Sequence, residues 1–164
     1  MCYKINFLKC QSQDNLDKIS RSDDKNLIIE KQLYKVENTA KGEVLKAITA
    51  NQPLQKGDKA RVRVVITCDR DMEFVHLKDM RAATFEPVNV FSQYKYQDGL
   101  WYYESTKDAA THFFIDWMPK GKYVFEYTLF ATQSGDFSNG ITHIECMYAP
   151  EFQSHSAGIR VKVR

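Results

Sequence analysis

The sequence has no run of about 18 apolar residues, so no helical segment of it is long enough to cross a bilayer. Its first ten residues, MCYKINFLKC, lack the apolar core of a secretory leader, so the chain is expected to carry no signal peptide of its own. Only four of the 164 residues are cysteine, too few for a disulfide-built scaffold. There is no Cys-x-x-Cys pair and no His-x-His or His-x-x-x-His pair, so no local spacing suits a metal. His76, His112, His143 and His155 are expected on or near the surface, and no cofactor or metal is expected. No charge dominates: the formal net charge of +2 is too small and scattered to suggest nucleic acid or an anionic membrane as partner.

The motif tests for catalysis also come back empty. No Gly-x-x-x-x-Gly-Lys or Gly-x-Gly-x-x-Gly loop occurs, so nothing cradles a nucleotide. Ser154, His155, Ser156 and Glu151 lie close in sequence, but without a Gly-x-Ser-x-Gly elbow they do not make a hydrolase. Asp69, Asp71 and Asp79 do not follow a calcium-loop pattern and are read as a solvated turn. The chain is therefore not expected to be an enzyme.

What is present is β pattern. Residues 11–26, QSQDNLDKISRSDDKN, hold almost nothing that could be buried, so residues 1–26 are expected to be a linker or disordered tail and the folded body to span 27–164. Within it, residues 60–68 alternate cleanly, with Val62, Val64, Ile66 and Cys68 on one side and Arg61, Arg63 and Thr67 on the other. Strands are also expected at 27–36, 43–49, 73–78, 111–117, 122–131, 140–148 and 158–164, with a hairpin turning at Gln97-Asp98-Gly99. The fold class is all-β, an antiparallel β-sandwich of about nine strands with at most short helical turns. Val64, Ile66, Trp117, Phe125, Tyr127, Ile144 and Val161 form the expected core. Cys68 and Cys146 are expected as buried free thiols.

Two groups of side chains stand out. Tyr94, Tyr96, Trp101 and Tyr102 in the 91–103 hairpin form a possible aromatic partner surface; core and cross-strand packing, a protein partner and a glycan all remain open for it. The corner Cys146-Met147-Tyr148-Ala149-Pro150-Glu151-Phe152 places an adaptable thioether and a rigid ring at a strand end, where Pro150 should stop the strand. Met147 and Tyr148 can plug a neighbour's pocket or simply close the end of the sandwich.

The segments GDKARVRVVITCDRDMEFVHLKDMRAATFEPV, DGLWYYESTKDAATHFFIDWMPKGKYVFEYTLFA and GITHIECMYAPEFQSHSAGIRVKV, in that order, resemble the C-terminal domain of bacterial alpha-2-macroglobulin-family proteins, especially the Bacteroidetes branch. The resemblance runs from about Leu33 to Val163 and includes a Met-Tyr-x-Pro-Glu signature. It implies a non-catalytic terminal module, similar to the receptor-binding domain of the eukaryotic proteins. The parent would be a large periplasmic or cell-surface protease-trapping protein. The partners would be its upstream domains and, indirectly, proteases. Met147 and Tyr148 would be the domain-docking lock that shields an internal thioester where one exists. The chain carries no Cys-x-Glu-Gln thioester motif and no bait region, so it reads as a fragment of a larger protein and is not expected to inhibit proteases alone. A free-standing adhesion or glycan-binding module using the 91–103 hairpin is the alternative.

Overall fold

The computed structural model describes residues 19–21, 26–40, 42–48, 53–97 and 99–164. Most of the expected 1–26 tail lies outside these residues, as does Asp98 of the expected hairpin turn.

The described residues form 13 strands and no helix. In chain order they are β1 Leu27–Thr39, β2 Gly42–Ala47, β3 Lys59–Cys68, β4 Met72–Met80, β5 Phe85–Pro87, β6 Gln93–Gln97 and β7 Leu100–Thr106. There follow β8 Ala110–Met118, β9 Gly121–Ala131, β10 Gly135–Ser138, β11 Thr142–Cys146, β12 Ala149–His155 and β13 Arg160–Val163. One sheet runs β2-β1-β3-β9-β5 and the facing sheet β12-β11-β4-β8-β7-β6, with a β10-β13 ribbon beside them. All strand-to-strand pairings within these sheets are antiparallel. The all-β antiparallel sandwich is thus as expected, but with more strands. The additional ones, β5, β10 and β12, are short or irregular and carry little alternation for a sequence reading to catch.

The core follows from period-two alternation. β3 turns Ala60, Val62, Val64, Ile66 and Cys68 inward, and β9 turns Tyr123, Phe125 and Leu129 to meet them. From the other sheet come Val75, Leu77, Tyr102, Phe113, Ile115 and Ile144. Phe125 contacts Phe113 and Tyr102 across the layers, each at a ring separation of 5.1 Å. Val64, Ile66, Phe125, Ile144 and Val161 are buried as expected. Tyr127 is only half-buried, its hydroxyl donating to Asp79 inside the sandwich.

Trp117 is a correction: it is 49% exposed. Strict alternation from Phe113 and Ile115 would send it inward. The pattern slips one residue at Asp116–Trp117, so that Met118 is buried instead. The partner strand slips at the same level. In β4, Val75, Leu77 and Asp79 face inward, yet so does Met72, with Glu73 and Phe74 both exposed. Phe74 makes this possible by taking φ +51°, the only non-glycine positive φ among the described residues. The pairs Glu73↔Trp117 and Val75↔Ile115 are retained around it.

Asp79 is a second correction. It belongs to no solvated turn; its side chain is fully buried and paired with Lys31.

Candidate docking site

The matched slip in β4 and β8 builds one wall of a cleft, and the β11–β12 corner builds the other. β11 and β12 pair at Cys146↔Ala149, leaving Met147 and Tyr148 as a two-residue turn. Pro150 does not end the strand. It lies inside β12, at the edge of its sheet, where a missing donor costs no ladder bond. The ladder jumps from Glu145↔Gln153 to Cys146↔Ala149, so Pro150, Glu151 and Phe152 bulge between the two pairs.

Two contacts fix the turn against β4. The Met147 N–H donates to the Phe74 carbonyl at 2.9 Å. The Tyr148 ring stands at 90° to the Phe74 ring with centroids 5.1 Å apart, the edge-to-face arrangement aromatic quadrupoles favour. Met147 is nonetheless 54% and Tyr148 79% exposed, so neither residue closes the end of the core. Beneath them opens a largely apolar cleft of about 400 Å³, walled by Phe74, Trp117, Tyr148 and Phe152 and floored by Met72 and Cys146. Sequence reasoning missed Phe74 and misplaced Trp117. The positive φ that exposes them leaves no mark in composition.

The same face of the six-stranded sheet carries the hairpin aromatics. Tyr94 pairs with Tyr103 at 4.9 Å between rings and Tyr96 with Trp101 at 5.0 Å. Tyr94, Tyr96 and Trp101 are 71%, 60% and 65% exposed. Tyr102 does not join them: it points inward, 5% exposed, against Phe113 and Phe125. From Tyr103 the row continues by register to Phe114, His76 and Glu145. Phe114 and His76 stack at 4.8 Å, and His76 Nε2 lies 2.9 Å from His112 Nδ1. His76 Nδ1 is 3.3 Å from Glu145 Oε1. Met147, Tyr148, Tyr94, Tyr96 and Trp101, which sequence reasoning set in two places, thus lie on one sheet. The His76–His112 pair between them was not foreseen, because 36 residues separate two rings that the β4–β8 register brings together.

The polar chemistry of the site is quiet. Cys146 and Cys68 are free, buried thiols, and burial pushes both above the ordinary thiol range, which disfavours the reactive thiolate. Among the described residues, no three His, Cys, Asp or Glu side chains converge as a metal site. Ser154 donates to the Leu27 carbonyl, His155 Nδ1 contacts the Ser156 carbonyl, and the Ser156 hydroxyl donates to the Ala157 carbonyl and accepts from the Thr142 N–H, so these three side chains are spent on structure.

Comparison with known proteins bears on the fold. A curated Dictyostelium discoideum protein named circularly permutated Ras protein 2 is 27% identical over 105 residues, covering 64% of this chain and 3% of that protein. Salmonella alpha-2-macroglobulin reacted with methylamine superposes with a TM-score of 0.67 at 17% identity, over 88% of this chain and 10% of that one. Native Escherichia coli alpha-2-macroglobulin, from domain MG7 to the C-terminus, gives 0.68 at 14% identity, over 88% of this chain and 24% of that one. At such identities these structures speak for the fold alone, and the chain spans a minor part of each of these three proteins. The sequence profile of the bacterial alpha-2-macroglobulin MG10 domain matches residues 27–151, and the chain belongs to that family.

Proposed function

We propose that this chain is a non-catalytic module of a bacterial alpha-2-macroglobulin-like protease-trapping protein. It docks on neighbouring domains of that protein through the Met147–Tyr148 corner and holds the resting arrangement. The parent acts outside the cytoplasm, in the periplasm or at the cell surface. The observation that carries this reading is the corner itself: two large side chains held out in solvent by a turn that is hydrogen-bonded to Phe74 and packed edge-to-face on its ring. Exposed apolar side chains on a rigid support are what a docking contact requires. Where the neighbour holds a thioester, a thioether and an aromatic ring would cover it and exclude water.

The test is a gel-shift titration of the chain against the remaining macroglobulin-like domains of its parent, paired with protease-protection assays. Tyr148→Gly and Met147→Ala should weaken docking, and the isolated chain should protect no substrate from proteases. Unchanged docking in both variants, or inhibition of several proteases by the chain alone, would refute the reading. The exposed Tyr96–Trp101 pair favours a second reading, glycan binding. Sugar binding on a glycan array that disappears with Trp101→Ala would establish it.

A further inference from the structure

The cleft beneath Tyr148 has a chemical preference of its own. Its walls are aromatic, but its rim is acidic. Asp71 and Glu73 line it. Among the described residues the Glu73 carboxylate has no hydrogen-bond or ion-pair partner, and Glu73 is exposed. Asp71 accepts a hydrogen bond from the Lys120 backbone N–H at 2.8 Å.

The cation on the lining, Arg70, is already engaged. Its Nε lies 3.2 Å from Asp69 Oδ1, its Nη2 lies 3.0 Å from Asn26 Oδ1, and its guanidinium carbon sits 5.2 Å from the Phe152 ring centroid. One wall of the cleft therefore already carries a stacked guanidinium. Its charge is met by Asp69, so the Asp71 and Glu73 carboxylates are in excess along the lining.

A purely apolar visitor would fill the cavity and leave these carboxylates unanswered. An anion would be repelled by them. A long cationic side chain meets both demands, its methylenes lying on the rings and its head reaching the rim. Arginine suits the walls better than lysine, because its planar, weakly hydrated head stacks on aromatic faces.

We infer that this cleft is the socket for an arginine side chain presented by the docking partner. The inference rests on the docking role proposed above and names the partner's chemistry.

The test uses the Trp101→Phe chain. Only two tryptophans exist, so the remaining indole N–H signal is that of Trp117. Acetyl-arginine amide, acetyl-lysine amide and the neutral acetyl-citrulline amide are titrated against it by NMR, with the rest of the spectrum reporting that the fold is intact. Saturable shifts in the millimolar range are expected for arginine. Binding should be at least about threefold tighter than for citrulline and tighter than for lysine. Added salt should weaken arginine binding. Glu73→Gln should weaken it about two- to fivefold and leave citrulline unchanged.

Absence of saturation with arginine, or citrulline or lysine binding as tightly, overturns the socket. If that happens while Tyr148→Gly still abolishes docking, the docking role survives. Arginine-selective binding with docking indifferent to both corner residues overturns the docking role alone.

Discussion

Lys31 Nζ lies 2.6 Å from Asp79 Oδ1 between the two sheets, and the side chains are 1% and 0% exposed. The pair is fully served by its surroundings. Asp79 also accepts from Thr142 Oγ1 at 2.6 Å and from the Tyr127 hydroxyl, while Lys31 also donates to the Met80 carbonyl at 2.6 Å. Burial pushes the Lys31 ammonium below the ordinary lysine range, and the Asp79 charge pulls it part of the way back. The link joins β1 to β4, one strand from each sheet, and so fixes how the layers sit.

Breaking that link from one side should cost more than removing it. Lys31→Met leaves a buried carboxylate and Asp79→Asn a buried ammonium, each expected to cost about 3–5 kcal/mol. Asparagine still accepts from Thr142 and Tyr127, so the double variant should cost clearly less than the two single costs together. Urea unfolding of the four proteins measures the cycle. Additive costs would mean that the two charges are not coupled.

Phe125 and Trp117 should respond very differently to truncation, although a strand reading places both in the core. Phe125→Ala removes a ring packed on Phe113 and Tyr102 and should cost about 3–5 kcal/mol. Trp117→Ala acts on a ring that is 49% exposed and should cost under about 1.5 kcal/mol. Equal costs in denaturant unfolding would contradict the observed facing of β8.

That pair of residues also marks how far the sequence can be read. The alternation of Val62, Val64 and Ile66, and of Phe113 and Ile115, is enough to give an all-β sandwich and most of its core, because a half-buried strand writes its facing into every second residue. The corner Met147–Tyr148 could be singled out as two large side chains shortly before a proline, although Pro150 lies inside β12 and does not end the strand. Trp117, Tyr102 and Asp79 were not legible. Trp117 faces out because of a backbone irregularity at Phe74, one strand away. Tyr102 sits in a run of three aromatics, Trp101 to Tyr103, whose phase only the β6–β7 register decides. Asp79 is stabilised by Lys31, 48 positions earlier in the chain. Each depends on a tertiary neighbour rather than on its own segment.

Stability should fall as acid is added through the histidine range. His112 is held below its ordinary value of 6.5, first by burial and then by the positive charge of His76, Lys78, Lys107 and Arg81. The unfolded chain therefore takes up this proton first. Between pH 6.5 and the lower folded-state value it binds more protons than the native state, so stability is lost as pH drops through that window. His112→Gln should flatten this part of a melting temperature against pH curve. An unchanged slope would show that the acid sensitivity lies elsewhere.

Phe74 offers the sharpest test of how the cleft is made. Its φ of +51° is a left-handed conformation in which a Cβ is crowded, at about 1–2 kcal/mol for an ordinary residue. In a strand interior alanine normally outranks glycine by roughly 0.5–1 kcal/mol, because glycine gains more freedom on unfolding. At position 74 the order should reverse. Phe74→Ala and Phe74→Gly lose the same ring and the same contact with Tyr148, so their difference isolates the backbone, and glycine should be the more stable by about 1 kcal/mol in chemical denaturation. An alanine variant more stable than the glycine variant by the usual margin of roughly 0.5–1 kcal/mol would mean that the strand carries no strain there. The predicted result would mean that the protein keeps a phenylalanine where its own backbone favours glycine. The ring's place between Tyr148 and the acidic cleft, rather than the stability of the sandwich, would then be what holds it there.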